Sequence, residues 1–142
     1  MVKSKSLFAA LLACVALGLF STTYAEEKKH EHGGKGPNGG ALVEVGDADD
    51  HHVEVIHDDK AGTLTVYCLL ADQKTPYTPK EAPKLNLTSK AGNKQIEMKG
   101  KDSKWEATDD VLKEEPNGRI VIILPDGKKY NVKIEEHGHV HK

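Results

Sequence analysis

From position 41 onward, apolar and polar residues alternate one by one in short runs that are separated by marked turns. A period of two is typical of β-strands, whose successive side chains point to opposite faces of a sheet, whereas a helix needs a period near 3.6. Turns rich in glycine, asparagine and proline lie at 91–93, 116–118 and 125–127. The pattern predicts an all-β fold, a small antiparallel β-sandwich of about seven to eight strands. The predicted strands cover 41–45, 51–57, 63–70, 84–89, 94–99, 104–108, 119–124 and 128–135.

The clearest pair of neighbouring strands is 51–57 and 63–70, joined by the acidic turn over 58–62. Their alternation places Val53 and Val55 on a buried face shared with the apolar positions of the second strand, Leu64, Val66 and Cys68. Cys68 is therefore predicted to be a small apolar core residue, with a copper or redox thiol as the alternative.

The first 25 residues have the form of an export signal. Lys3 and Lys5 precede an uninterrupted apolar and small-residue run over 7–20, and small residues at Thr23 and Ala25 have the usual pattern of a signal-peptidase site. Cleavage after Ala25 would leave residues 26–142 outside the cytoplasm, in the periplasm or the extracellular space. A lipoprotein anchored through an acylated Cys14 is the main alternative, although the residues after Cys14 stay apolar where a polar tether normally follows. A retained, uncleaved anchor is the third interpretation.

The chain after the predicted signal has 117 residues, and the loss of Lys3 and Lys5 lowers its net charge from −2 to −4. An acidic excess argues against a nucleic-acid partner, which requires a basic face. Cys68 is the one cysteine left, so an intramolecular disulfide is excluded. This mature chain contains no second apolar stretch that is long enough to span a membrane.

The predicted organisation of the chain has four parts. The signal peptide is followed by a segment that is rich in charge, histidine and glycine and lacks apolar periodicity, which predicts disorder. The sandwich domain comes next, and a histidine-rich tail ends the chain. The parts are residues 1–25, 26–40, 41–136 and 137–142.

Histidines are concentrated in the two terminal segments. His30 and His32 form one alternating pair, and a trio follows the domain. Because residues i and i+2 of an extended chain point the same way, each group is a potential chelating set. A solvated polar tail is the alternative for both groups. The trio consists of His137, His139 and His141.

Three further candidate ligands lie on the predicted strand 51–57. His52 and Glu54 share one face of it, and His51 sits beside them in a turn crowded with aspartates. A weaker second metal site is one interpretation, and a solvated hairpin face is the other. His57, beside Asp58, is predicted to be a residue of the strand end without a site role.

A family resemblance rests on the first half of the domain. Gly39-Gly40 precede a short strand, Gly46-Asp47 form its turn, and His52-Val53-Glu54 open the next strand. This pattern resembles a family of small exported bacterial β-domains of largely uncharacterised function, found alone and beside heavy-metal efflux adaptor subunits. The resemblance implies an extracytoplasmic β-domain in a heavy-metal context, with an envelope or efflux protein as partner, and it does not imply a catalytic activity. Members often carry a histidine just before the glycine pair, where this chain has Asn38.

The sequence therefore predicts an exported, histidine-based binding protein for divalent transition metals, accessory to metal efflux or homeostasis. Imidazole ligands suit Zn, Ni, Co or Cu(II), whereas the soft ligands that Cu(I) prefers are limited to Met98 and Cys68. No hydrolase, phosphate-loop or metalloprotease motif is present, so the chain is predicted not to be an enzyme. The alternative function is a non-catalytic structural or interaction β-sandwich of the cell envelope with no metal role.

Overall fold

The computed structural model describes residues 34–134. Nine β-strands and one short 3-10 helix over Asp110–Lys113 make up this part of the chain. In chain order the strands are β1 Ala41–Glu44, β2 His51–Asp58, β3 Thr63–Leu70, β4 Lys84–Ser89, β5 Gly92–Glu97, β6 Lys99–Lys101, β7 Lys104–Thr108, β8 Gly118–Ile123 and β9 Lys129–Ile134.

The strands form two antiparallel sheets. The first sheet has the order β1-β2-β3-β7-β6, and the second has the order β5-β4-β8-β9. The prediction of an all-β antiparallel sandwich is confirmed. The 3-10 helix begins after Asp109, whose carboxylate accepts a hydrogen bond from the backbone N–H of Val111.

The core lies between the two sheets. It consists of every second residue along the strands, whose side chains face the other sheet. The predicted hairpin of β2 and β3 is present, and its register places Val53 opposite Cys68 and Val55 opposite Val66. These four side chains are buried, and the second sheet supplies their partners. The second sheet's buried residues include Leu85, Leu87, Ile120, Ile122 and Val132.

One predicted strand, 94–99, is wrong as a single element. It is divided at Met98 into β5, at the edge of the second sheet, and β6, at the edge of the first. Met98 is 1% exposed, and its backbone N–H donates to the carbonyl of Pro83. The chain passes from one sheet to the other at this buried side chain, and this division raises the number of strands to nine.

Residues 34–40, which precede the predicted start of the domain at Ala41, are part of the fold. Lys35 pairs with Ala41 across a tight turn, and Gly36 donates its N–H to the carbonyl of Gly40 at 2.8 Å. The prediction of disorder over 26–40 is therefore wrong for residues 34–40, while residues 26–33 lie outside the described range. We call residues 36–40 the Gly-Pro-Asn turn.

Strands β1 and β9 lie at the same side of the sandwich. Gly46, just after β1, lies against the ring of Tyr130 in β9, where an added Cβ would be 2.9 Å from the ring carbon Cζ. At the opposite side, β5 and β6 are joined through Met98. The two sides of the sandwich therefore differ, because a chain connection closes one and side-chain contacts close the other.

Residues 34–134 contain no helix with the length and apolar character needed to cross a membrane.

Candidate functional site

Five of the eight predicted metal ligands lie outside residues 34–134. They are the histidines of the two terminal segments, His30, His32, His137, His139 and His141. The other three, His51, His52 and Glu54, are on β2, and the structure gives each of them a different environment.

His51 points inward from β2. Its Nδ1 lies 2.9 Å from a carboxylate oxygen of Asp50, and its ring packs edge to face against Tyr77 with centroids 4.8 Å apart. The interaction with His51 lowers the pKa of the Asp50 carboxyl group. His51 is thus separated by the sheet from His52 and Glu54, which point outward, because adjacent residues of a strand occupy opposite faces.

Glu54 is fully buried although it is on the outer face of the first sheet. The Gly-Pro-Asn turn covers it, and its carboxylate accepts three hydrogen bonds of 2.8 Å each. The donors are the backbone N–H and side-chain Nδ2 of Asn38 and the backbone N–H of Gly40. A carboxylate enclosed in this way stabilises the turn, so the prediction that Glu54 is a metal ligand does not fit its surroundings.

The glycines of the turn are required by its close approach to β2. An added Cβ at Gly36 would lie 2.3 Å from the carboxyl carbon of Glu54, and one at Gly40 would lie 2.6 Å from the carbonyl oxygen of Val55. Sequence reasoning missed this role because the turn has no apolar periodicity. The available signal was a lone glutamate between two valines in β2, opposite a turn-forming Gly-Pro-Asn-Gly-Gly run.

His52 is 8% exposed, and its Nδ1 has no hydrogen-bond partner among residues 34–134. Its neighbours across the sheet are Glu44 in β1 and Leu69 in β3. The carboxylate of Glu44 accepts one hydrogen bond, 3.2 Å long, from the backbone N–H of Asp49. Buried polar atoms in folded proteins almost always have a partner, so the Nδ1 of His52 is an exception that requires an explanation.

His57 lies near the end of β2, where it was predicted, and it makes a buried hydrogen bond that the sequence did not predict. It is 6% exposed, and its Nε2–H donates to the backbone carbonyl of Leu112 at 2.5 Å. Because a carbonyl only accepts, the proton of this bond belongs to Nε2. The bond holds the 3-10 helix against the first sheet.

The two soft side chains of the domain are enclosed in the core. Cys68 is 0% exposed and Met98 is 1% exposed. Burial raises the pKa of the Cys68 thiol to about 12, and the same cause raises the pKa of the neighbouring Tyr77. The prediction that Cys68 is a core residue is confirmed, and a thiolate ligand at this position is disfavoured.

Within residues 34–134, no group of three or more His, Cys, Asp or Glu side chains is arranged to hold a metal ion. On the outer face of the first sheet, Glu44 and His52 are cross-strand neighbours.

The segments that carry the predicted tail histidines join the domain at the same end of the sandwich. His57, at the end of β2, contacts the 3-10 helix that leads into β8, so β2 ends where β8 begins. Strand β1 runs antiparallel to β2 and β9 antiparallel to β8, so β1 begins and β9 ends there as well. Gly34 is bonded to Leu42 near the start of β1, and Ile134 ends β9.

Comparison with known proteins gives no match, since no family model, no curated protein and no solved structure is significantly similar to the chain.

Proposed function

We propose that this chain is an exported protein that binds divalent transition-metal ions through the histidines of its two terminal segments. The observation that supports this most directly is the common exit point of those segments. Gly34 and Ile134 lie at the same end and the same side of the sandwich, because Tyr130 packs against Gly46 and β9 runs antiparallel to β1.

The distances allow the two histidine groups to reach one ion. Packed sheets are about 10 Å apart, which places Gly34 and Ile134 on the order of 10–15 Å from each other. His32 is two residues from Gly34, and His137 is three residues from Ile134. At about 3.4 Å per extended residue, the two segments together span roughly 17 Å. Imidazoles from both segments could therefore coordinate the same ion.

The burial of the two soft side chains of the domain favours Zn, Ni, Co or Cu(II) over Cu(I) as the bound ion. The thiol of Cys68 and the thioether of Met98 are enclosed in the core, while neutral imidazole is a good ligand for the borderline divalent ions. An accessory role beside a metal-efflux system in the cell envelope is the biological setting that we propose for this binding.

The test is a calorimetric titration of the chain comprising residues 26–142 with Zn²⁺, Ni²⁺ and Cu²⁺ at pH 7.5. We expect a dissociation constant tighter than about 100 µM, which corresponds to roughly 5.5 kcal/mol. Two variants locate the site: His137, His139 and His141 all changed to Asn, and His30 and His32 both changed to Asn. Each variant should bind at least about tenfold more weakly.

A dissociation constant above about 100 µM for all three ions in the unmodified chain would end the proposal. The alternative function, a structural or interaction module of the envelope without a metal role, would then remain.

A further inference from the structure

The outer face of the second sheet carries a group of basic side chains. Leu85 in β4, Ile120 in β8 and Val132 in β9 belong to the buried core, so the residues that alternate with them face outward. Four of the outward positions on these strands are lysine or arginine, and all four side chains are exposed. We call them the basic face: Lys84, Arg119, Lys129 and Lys133.

The charge of this face is opposite to that of the whole chain. Among the outward residues of the four strands, Glu97 is the one acidic side chain, and it is the cross-strand neighbour of Lys84. Four positive charges therefore stand against one negative charge, whereas the chain has a net charge of −2. Aspartates are concentrated instead in the connections at the ends of the sandwich, at 47–50, 58–59 and 109–110.

An aliphatic side chain lies at the centre of the basic face. Val121 in β8 is opposite Lys84 on one side and opposite Asn131 on the other. Val121 and Ile123, two residues further along β8, are both partly exposed. Basic side chains around an apolar centre can contact anionic headgroups and the apolar boundary beneath them at the same time.

The basic face extends in two dimensions. Lys84 is two strand spacings from β9, or about 10 Å, and Lys129 and Lys133 are four residues apart, or about 14 Å along β9. One extended acidic peptide would cover a single strand spacing of about 4.8 Å and would meet only part of this area. The headgroups of a bilayer present negative charge over a whole area, so the geometry favours a lipid surface.

We propose that the basic face docks onto the surface of a membrane that contains anionic phospholipids. The acidic connections at both ends of the sandwich would be repelled by such a surface, so the domain would lie on its second sheet instead of standing on one end. This docking goes beyond the proposed metal binding and does not depend on it.

The test is a sedimentation assay of residues 26–142, which include every residue that the structure describes, with lipid vesicles. One vesicle type is an equal mixture of phosphatidylglycerol and phosphatidylcholine, and the other is phosphatidylcholine alone. EDTA in the buffer prevents bound metal ions from contributing. We expect binding to the anionic vesicles only, and we expect about 0.5 M NaCl to abolish it, because salt screens exposed charges.

Two double variants locate the binding surface. Lys84→Gln with Lys129→Gln should weaken binding roughly 25-fold, or about fivefold for each charge removed. Lys99→Gln with Lys101→Gln is the matched control, because it removes the same charge from exposed residues of β6 in the first sheet. It should change the affinity by less than about twofold. Circular dichroism checks that both variants remain folded.

Equal effects of the two double variants would show that net charge governs the attraction, and would overturn the proposal. Absence of binding to the anionic vesicles, or equal binding to both vesicle types, would overturn it as well. A synthetic poly-glutamate peptide tests the other class of partner in the same buffer. If the chain binds this peptide and not the anionic vesicles, the basic face is a site for acidic polypeptides and the proposal is wrong.

Discussion

Asn38 donates two hydrogen bonds to the carboxylate of Glu54, one from its backbone N–H and one from its side-chain Nδ2, each 2.8 Å long. This relationship attaches the Gly-Pro-Asn turn to the outer face of the first sheet. It gives a buried acidic residue of β2 a role in building the domain.

Glu54→Gln should lower the free energy of unfolding by about 2–4 kcal/mol, because an NH₂ group would replace an acceptor that faces N–H donors. Chemical denaturation monitored by the fluorescence of Trp105 measures the change. Glu106→Gln is the control, since Glu106 is exposed on the same sheet and should change stability by less than about 0.5 kcal/mol. Equal effects of the two substitutions would contradict the role assigned to Glu54.

Gly40→Ala should destabilise the domain by about 1–3 kcal/mol, because the added Cβ would lie 2.6 Å from the carbonyl oxygen of Val55. Gly34→Ala is the matched control. Its Cβ would meet Leu42 at an ordinary 3.7 Å, so it should be neutral or should stabilise by up to about 1 kcal/mol. Thermal melting of both variants checks the contrast, and a stable Gly40→Ala protein would mean that the turn can move away from β2.

Stability should fall as the pH rises above about 9, because the folded state raises the pKa of the Cys68 thiol from 9.0 to about 12. A raised pKa favours the protonated folded state, so the full contribution is present below pH 9 and is lost progressively between about pH 9 and 12. The loss is on the order of 4 kcal/mol at most. Denaturation measured from pH 7 to 11 should show this decline.

Cys68→Ala should reduce the decline that begins near pH 9. The part that begins near pH 10 should remain, because burial also raises the pKa of Tyr77. A profile of Cys68→Ala that matches that of the unmodified chain would show that the thiol does not titrate in this window.

His57→Leu should lower the free energy of unfolding by about 1–3 kcal/mol, since it removes the donor to the buried carbonyl of Leu112. Lys113→Ala tests the same 3-10 helix without touching this bond. It removes an exposed pair with Asp110, which is worth less than about 1 kcal/mol. Amide exchange around Leu112 should accelerate in the first variant and not in the second.

Metal affinity should decrease as the pH falls below about 6, because protonated imidazoles no longer coordinate ions. Calorimetric titrations of residues 26–142 with Zn²⁺ at pH 7.5 and pH 5.5 should differ by at least about tenfold in dissociation constant. A pH-independent affinity would point to carboxylate ligands in place of histidines.

The alternation of the sequence was sufficient to predict most of the strands, the hairpin of β2 and β3 and the burial of Cys68. It could not predict the division at Met98, because the period of two continues through a residue where the chain changes sheets. A buried side chain where the chain passes between sheets fits the alternating pattern as well as a buried side chain inside a strand. The two cases differ in which neighbouring strand each half pairs with, and the residues of one run do not contain that information.

The candidate site shows the same limitation more clearly. His52 and Glu54 were correctly placed on one face of β2, and from sequence that face was expected to be solvated or metal-binding. Periodicity identifies a face without identifying what covers it. The Gly-Pro-Asn turn covers Glu54, and two of its three hydrogen bonds to that carboxylate come from backbone N–H groups, which almost every residue provides.

The connection through Met98 also bears on how the sandwich opens. On that side β5 and β6 are two residues apart in the chain, so they stay close even when the surrounding packing loosens. On the other side, β1 and β9 are separated by most of the domain and meet through contacts such as that of Tyr130 with Gly46. Local fluctuations should therefore separate the two sheets by a hinge motion about the β5–β6 connection. The largest displacement is expected between the edge strands β1 and β9.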